Sequence, residues 1–311
     1  MPGMDRCLYL SGATACGKSA AAVELALRIG GEIVNADAFQ LYQGLDVCSA
    51  KPSPEEQAQV PHHLLGVLQA GEVCDAQRFR DLALPVIEEI AGRGRWPVVV
   101  GGSGLYLKAL THGLAPLPKG DEALRQRLAL LSPEERVAEL LRLDPQAADN
   151  VPLRNDRYVS RALEICLLTG RPQSELRQEW QRPEPAFMGV ALTRERDDLY
   201  ARINKRVQAM VEQGLVAEIA GLDALSLTSA KAIGVREIRH HLEGGCSLAE
   251  AVAAIQQATR RYAKRQITWM KRETGFQTIC LPPDSTARFA ADRILELFPC
   301  LHLPPPSVPS L

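Results

Sequence analysis

Eight residues near the N-terminus, Gly12-Ala13-Thr14-Ala15-Cys16-Gly17-Lys18-Ser19, match the pattern G-x4-G-K-[ST] in full. A short apolar run, Cys7–Leu10, leads into them, and an Ala/Leu/Val-rich helical stretch, Lys18–Ile29, leads out. In that setting glycines let consecutive backbone N–H groups turn inward as an anion nest, and the helix N-terminus adds positive potential. Lys18 reaches the outer phosphates, and the Ser19 hydroxyl is placed to join a Mg2+ shell. The chemistry expected is the binding of a di- or triphosphate.

What happens to that phosphate is narrowed by the neighbouring motifs. An ordinary P-loop ATPase carries an aspartate at the end of a core strand to organise Mg2+. Here the apolar run Pro97–Val100 ends in Gly101-Gly102-Ser103-Gly104, with no carboxylate. The acid at a comparable strand end is Asp37, after Ile33–Val34. It could sit beside the reacting centre at the carboxyl edge of a sheet, or be a surface or N-cap aspartate. Three glycines and a hydroxyl at a strand end suggest a close approach to the backbone, preferred here over a plain turn. Arg202 and Arg206 lie four apart on a helix and could point together at phosphate oxygens, or be a solvated pair. His62–His63 and His240–His241 are expected as packing or surface residues.

The net charge of −1 taken alone argues against a nucleic-acid binder. A polyanion, however, feels charge within a Debye length of about 8–10 Å. From Ala251 to Arg272 there is no acidic residue, while Arg260, Arg261, Lys264, Arg265, Lys271 and Arg272 are present. On a helix starting at Ser247, Gln257, Arg261, Lys264, Thr268 and Lys271 share one face. Val252, Ile255, Thr259, Tyr262, Gln266 and Trp269 share another, with Gln266 the poor fit. Arg154, Arg157 and Arg161 give a second basic helix face. Such surfaces are usually only solvated, but two of them on separate lobes could clamp a folded RNA through its phosphates.

These residues need elements to position them. Strands at Cys7–Leu10, Glu32–Asp37, Trp96–Val100 and Phe187–Leu192 are separated by helical stretches, Lys18–Ile29 and Asp75–Ala91 among them. That alternation predicts an α/β fold, a P-loop NTPase-like parallel sheet wrapped by helices. Between Pro116 and Pro185 only helical signals occur, including the capping box Ser132-Pro-Glu-Glu135 and a helix over Asn155–Leu168. The expected organisation is therefore a discontinuous catalytic core, 1–115 and 186–311, interrupted by an all-helical insertion domain, 116–185. Ser247–Glu250 is another capping box, Phe276–Leu281 a last strand and Thr286–Phe298 a last helix. The Pro-rich tail 303–311 is expected to be disordered.

Composition sets the bounds. The 311 residues are 46% hydrophobic and 23% charged, ordinary for a globular enzyme. No apolar run reaches membrane length, and no signal-peptide pattern opens the chain, so a cytoplasmic protein is expected. The eight cysteines form no CxxC pair and have no histidine at metal spacing, which suits free thiols and disfavours a zinc site.

With these residues in view, the chain resembles the tRNA isopentenyltransferase family, the bacterial tRNA dimethylallyltransferases. The similar segments are GATACGKS (12–19), NADAFQLYQGLDVCSAKP (35–52), PHHLLGV (61–67), VVVGGSGLYLKAL (98–110), NDRYVSRALEI (155–165), RINKRVQAM (202–210), AIGVREI (232–238) and TRRYAKRQITW (259–269). They occur in order and cover nearly the whole chain. The resemblance implies Mg2+-dependent transfer of a dimethylallyl group from its diphosphate to N6 of the adenine just 3′ of the anticodon. It also implies that the insertion helps grip the anticodon arm. In that reading Asp37, Ser103 and Arg202 are catalytic, and Gly12 through Ser19 with Arg206 bind the diphosphate. Asp37, Ala38, Phe39, Gln40, Ser103, Arg157, Arg161, Arg261, Lys264 and Arg265 contact tRNA, and the protein acts as a monomer.

There are departures. Ala13 and Cys16 stand where the family's P-loop usually has proline and serine, and Ser103 replaces a usual threonine but keeps its hydroxyl. Ala38 stands where the family has serine, so one hydroxyl is missing from the tRNA-contact segment. The zinc finger of eukaryotic relatives is absent. A small-molecule P-loop kinase, a prenyltransferase acting on free adenine nucleotides, and a GTPase-like switch stay open as rivals from the residues alone.

Overall fold

The computed structural model describes residues 7–179 and 186–303. Among these, six strands form one sheet: β1 (Leu8–Gly12), β2 (Gly31–Asn35), β3 (His62–His63), β4 (Trp96–Gly101), β5 (Met188–Arg194) and β6 (Gln277–Leu281). Across the sheet they run β3-β2-β4-β1-β5-β6, and every pairing is parallel. β1 and β4 are buried along their whole length, so their runs of Leu and Val face apolar neighbours on both sides. The chain leaves β1 towards one side of the sheet and leaves β4 towards the other. A crevice therefore opens at the carboxyl ends of these two neighbouring strands.

The chain divides into two compact units, one of residues through His112 and from Pro185 onward, the other Gly113–Glu184. In the first unit α1 (Lys18–Ile29), α2 (Pro54–Gln59), α3 (Ala76–Gly92) and α4 (Gly104–Thr111) come before the interruption. In the second, α5 (Glu122–Ala129), α6 (Pro133–Leu143), α7 (Ala147–Asn150), α8 (Asp156–Thr169) and α9 (Gln173–Glu179) close around Leu128, Leu140, Ala147, Val159, Leu163 and Cys166. The first unit resumes with α10 (Arg196–Glu212), α11 (Leu215–Ala220), α12 (Val235–Leu242), α13 (Leu248–Met270) and α14 (Ala287–Leu297).

Local signals account for many of these boundaries. α1 ends at Gly30, which takes a left-handed φ of 64° that costs a glycine little. Ser132 and Ser247 cap α6 and α13, each closing a reciprocal capping box with Glu135 and Glu250. Two expectations shift. Phe187 is not the first residue of β5; its ring stacks edge-on against Tyr9 and Phe276, at 5.6 and 5.2 Å between centroids. His62–His63 forms a two-residue edge strand paired with Ile33–Val34, too short to give a periodic signal. The prolines at 183 and 185 and the tail 304–311 lie outside the described residues.

Candidate active site

The P-loop turns between β1 and α1 with Ala15 at φ 65° and Gly17 at φ 100°. A Cβ on Gly12 would lie 2.6 Å from the Cys16 sulfur and 2.9 Å from the Leu192 carbonyl oxygen, so only glycine fits there. Cys16 itself is wholly buried beneath the loop. One side chain secures the loop from behind. Arg194, at the end of β5, is buried and donates from Nε to the Cys16 carbonyl at 2.9 Å. Its remaining nitrogens meet Asp198, the carbonyls of Pro282 and Pro283, and Ser285. Sequence patterning gave no sign of this arginine, because an arginine closing a strand resembles any strand-end charge.

Arg202 and Arg206 of α10 both reach the P-loop. Arg202 Nε donates to the Ala15 carbonyl at 2.9 Å, and Arg206 Nη2 donates to Thr14 Oγ1. Arg206 lowers into protein so far that its Nε is buried with no hydrogen-bond partner. Burial pushes its pKa down, against the pull of Asp37 and Cys16, with Arg202 pushing the same way as burial. Its guanidinium remains a cation at any physiological pH. A buried donor without a partner, beside an anion nest, marks where an anionic ligand would sit.

Thr14, Lys18, Ser19 and Arg206 share one pocket with Asn35, Asp37, Gln40, His62 and Gly101. Asp37 is held there by Asn35, whose Oδ1 accepts the Asp37 N–H at 2.9 Å and whose Nδ2 donates to the Asp37 carbonyl at 3.2 Å. The Asp37 carboxylate accepts the Phe39 N–H at 3.0 Å, leaving its other oxygen available to a ligand. Ser103 Oγ accepts the Ala38 N–H at 3.1 Å, and Gln40 Nε2 donates to the carbonyls of Ser49 and Ala50. His62, expected as a packing or surface residue, lines this pocket. Its Nδ1 lies 2.8 Å from the Val60 carbonyl, and desolvation lowers its pKa.

The glycines Gly101–Gly104 do accept close neighbours, but those neighbours are protein. A Cβ on Gly101 would lie 2.2 Å from the Ala36 carbonyl oxygen, one on Gly102 2.1 Å from Gln266 Nε2, and one on Gly104 2.3 Å from the Trp269 ring. Gln266, the poor fit on the apolar face of α13, is buried, and its amide bridges two loops. Oε1 accepts the Thr14 N–H at 2.8 Å, and Nε2 donates to the Gly102 carbonyl at 2.9 Å. Beside it Tyr262 is pushed up in pKa by burial first and by Asp37 second, with Ser103 and Gln266 as partners that act the other way.

Further along α13, Gln257, Arg261, Lys264, Thr268 and Lys271 are all exposed. Arg265 stacks its guanidinium over the Tyr262 ring at 5.5 Å. In the second unit Arg157 is exposed, whereas Arg161 donates to Glu164 and to the Pro118 carbonyl. Glu164 is buried and also meets Arg125, so Arg161 is partly committed to holding this unit together.

The described residues contain no group of three or more His, Cys, Asp or Glu able to cage a metal. The oxygen donors of this pocket include the Ser19 hydroxyl and the Asp37 carboxylate. That set suits Mg2+, which keeps several waters and is usually held by one or two protein oxygens plus substrate phosphates. No helix among the described residues is long and apolar enough to cross a membrane.

Known proteins share this architecture. A protein called tRNA dimethylallyltransferase from Anaeromyxobacter sp. (strain Fw109-5) is 46% identical over 291 residues, 91% of this chain and 97% of the relative. The crystal structure of the full-length tRNA isopentenylpyrophosphate transferase from Bacillus halodurans superposes with a TM-score of 0.70 at 34% identity, covering 96% of this chain and 97% of that one. A eukaryotic dimethylallyltransferase caught acting on tRNA gives 0.80 at 26% identity, covering 94% and 78%. The family model described as "IPP transferase" matches residues 40–273, taking in Gln40, Ser103, Arg202, Arg206 and the whole of α13. A P-loop that faces a lone aspartate, on a chain matched so widely, makes this protein a member of the IPP transferase family.

Proposed function

We propose that the protein transfers a dimethylallyl group from dimethylallyl diphosphate to N6 of the adenine immediately 3′ of the anticodon in tRNA. One observation carries this reading. The anion nest and the Asp37 carboxylate open into the same pocket, while β4 ends in glycine where an ATPase would place its aspartate. Such a pocket holds a diphosphate leaving group at one end and a proton acceptor at the other. The names of the relatives, tRNA dimethylallyltransferases, support tRNA as the acceptor and a dimethylallyl group as what is transferred.

In the reaction the N6 lone pair attacks the allylic carbon, a C–N bond forms, and the C–O bond to diphosphate breaks. Negative charge grows on the departing oxygen. Lys18, Arg202, Arg206 and the free P-loop amides oppose it directly, which lowers the barrier more than it tightens ground-state binding. Mg2+, held by the Ser19 hydroxyl and the diphosphate itself, would supply further charge neutralisation when bound. Asp37 accepts a hydrogen bond from N6–H, aims the lone pair and takes the proton. Because N6 is otherwise inside a stacked loop, the adenine must swing out to reach this centre. Ala38, Phe39 and Gln40 flank its route in, with Ser103 fixing that segment through the Ala38 amide. The exposed cations of α13, with Arg157 and Arg161 of the second unit, contact the phosphates of the anticodon arm. The enzyme acts as a cytoplasmic monomer.

The test is direct. The protein is incubated with labelled dimethylallyl diphosphate and Mg2+, and offered tRNA, AMP or ATP as acceptor. Label is expected in tRNA alone. Label in AMP or ATP instead would replace the RNA reading with one of free nucleotides.

A further inference from the structure

We propose that Gln266 is a positioning residue that sets the distance between the phosphate cradle and the acceptor side of the pocket; the inference rests on the function just proposed. The residue is 5% exposed, and its carboxamide joins two loops that are far apart in sequence. One bond holds the Thr14 N–H at 2.8 Å, and the other holds the Gly102 carbonyl at 2.9 Å. The carboxamide accepts from one loop and donates to the other, whereas a carboxylate in its place could not donate and an aliphatic chain could do neither. The partners also fix which end is oxygen and which is nitrogen.

Two consequences bear on the chemistry. First, the Thr14 N–H is committed to Gln266 and the Cys16 N–H to the Ala13 carbonyl, so a diphosphate must nest on the other amides of the loop. Gln266 thereby sets where the leaving group lies. Second, Gly102 precedes Ser103, whose Oγ holds the Ala38 amide one residue beyond Asp37. A single side chain thus spans the leaving-group loop and the turn that supports the base. Reaction needs both at once, since in-line attack tolerates little error in the distance between nucleophile and leaving group. The same helix presents Arg261 and Lys264 to solvent, so the surface facing RNA and the bridge inside belong to one rigid element.

The test uses Gln266→Met, which keeps length and volume and removes both hydrogen bonds, and Gly102→Ala, whose Cβ would sit 2.1 Å from Gln266 Nε2 and push the bridge apart. Each is measured on the full chain with Mg2+, tRNA and labelled dimethylallyl diphosphate under single-turnover conditions. Affinities for inorganic diphosphate and for tRNA are measured separately. Each variant is expected to lose about 10- to 100-fold in single-turnover rate, the scale of a misplacement of roughly 1 Å. Both affinities should stay within about threefold of the parent, and the double variant should be little worse than either single, because both break one bridge. A parent-like rate in Gln266→Met would overturn the proposal. So would rate, affinities and unfolding midpoint falling together with additive losses, which is the behaviour of mere packing. A parent chain that labels no acceptor at all removes the functional reading and this inference with it, and is seen before any variant is made.

Discussion

Asn35 and Asp37 are joined by two hydrogen bonds, side-chain oxygen to backbone N–H at 2.9 Å and side-chain nitrogen to backbone carbonyl at 3.2 Å. The Asn35 amide also donates to the Leu64 carbonyl at 3.0 Å, so the end of β2 is tied to the loop after β3. Asp37 therefore reaches the pocket on a segment that cannot easily turn away.

That arrangement separates two kinds of loss. Asp37→Asn keeps the shape and one acceptor but removes the base, and turnover should fall on the order of 10²–10⁴. Donor and tRNA affinities should hold within a few-fold, because the interaction matters chiefly in the transition state. Asn35→Ala leaves the carboxylate in place and loosens its support, so a smaller fall, about 10-fold, is expected. Single-turnover kinetics on both variants check the order. Weakened Mg2+ or diphosphate binding with intact chemistry in Asp37→Asn would make Asp37 a metal-site residue instead.

Arg206 gives a prediction about binding. Its Nε is buried without a partner and its Nη2 is used on Thr14, so a diphosphate oxygen would complete it. A hydrogen bond to a charged group contributes about 1.5–3 kcal/mol. Arg206→Lys should then weaken inorganic diphosphate binding roughly 10- to 100-fold, since an ammonium cannot reproduce the planar fork. Isothermal titration with inorganic diphosphate reads this directly. An unchanged affinity would mean that the guanidinium serves only to hold Thr14.

Much of this geometry was legible before folding was considered. The P-loop, α1 and its glycine cap follow from residues adjacent in sequence, and the capping boxes at Ser132 and Ser247 are equally local. The six-stranded sheet follows from alternation of strand and helix, apart from β3, where two histidines carry no period. What stayed hidden depends on contacts across long separations. Gln266 acts on Thr14, 252 residues away, and Arg194 on Cys16, 178 away. Gln266 looks like a misplaced polar residue, and Arg194 like any strand-end charge, until the partner backbone is brought against each. The Gly101–Gly104 turn shows the same limit. Glycine reported that something comes close, but not that Gly101 meets Ala36 while Gly102 and Gly104 meet α13.

Glu218 on α11 illustrates such a hidden contact and can be tested for stability. Its carboxylate accepts the N–H groups of Asp46, Val47 and Cys48 at 2.8, 2.6 and 2.8 Å, fixing the loop that continues from the Asp37 segment. Glu218→Ala leaves three amides to find water, and should lower stability by about 1–3 kcal/mol. Glu218→Gln retains one acceptor oxygen and should cost less. Chemical denaturation of the two variants ranks them, and equal losses would argue against the amide contacts as the cause.

The exposed face of α13 yields the prediction on RNA. Arg261, Lys264 and Lys271 lie on that face and have no ion pair among the described residues, so all three are free to meet phosphate. Each phosphate contact releases condensed counterions, and losing one reduces the log–log salt slope of binding by roughly 0.7–0.9. The triple alanine variant should therefore bind tRNA more weakly at low salt and show a slope flatter by about 2–3. Inorganic diphosphate affinity should not change, because none of these side chains lines the pocket that holds Lys18 and Arg206. Arg265 makes a useful contrast. Its guanidinium lies over Tyr262, so Arg265→Ala removes a stacking contact as well as a charge and should affect turnover in addition to affinity. Filter binding across a salt series, beside single-turnover rates at saturating tRNA, separates the two effects. A triple variant with the parent's affinity and slope would show that this face is solvated only, and the search for the RNA contact would move to Arg157 and the second unit.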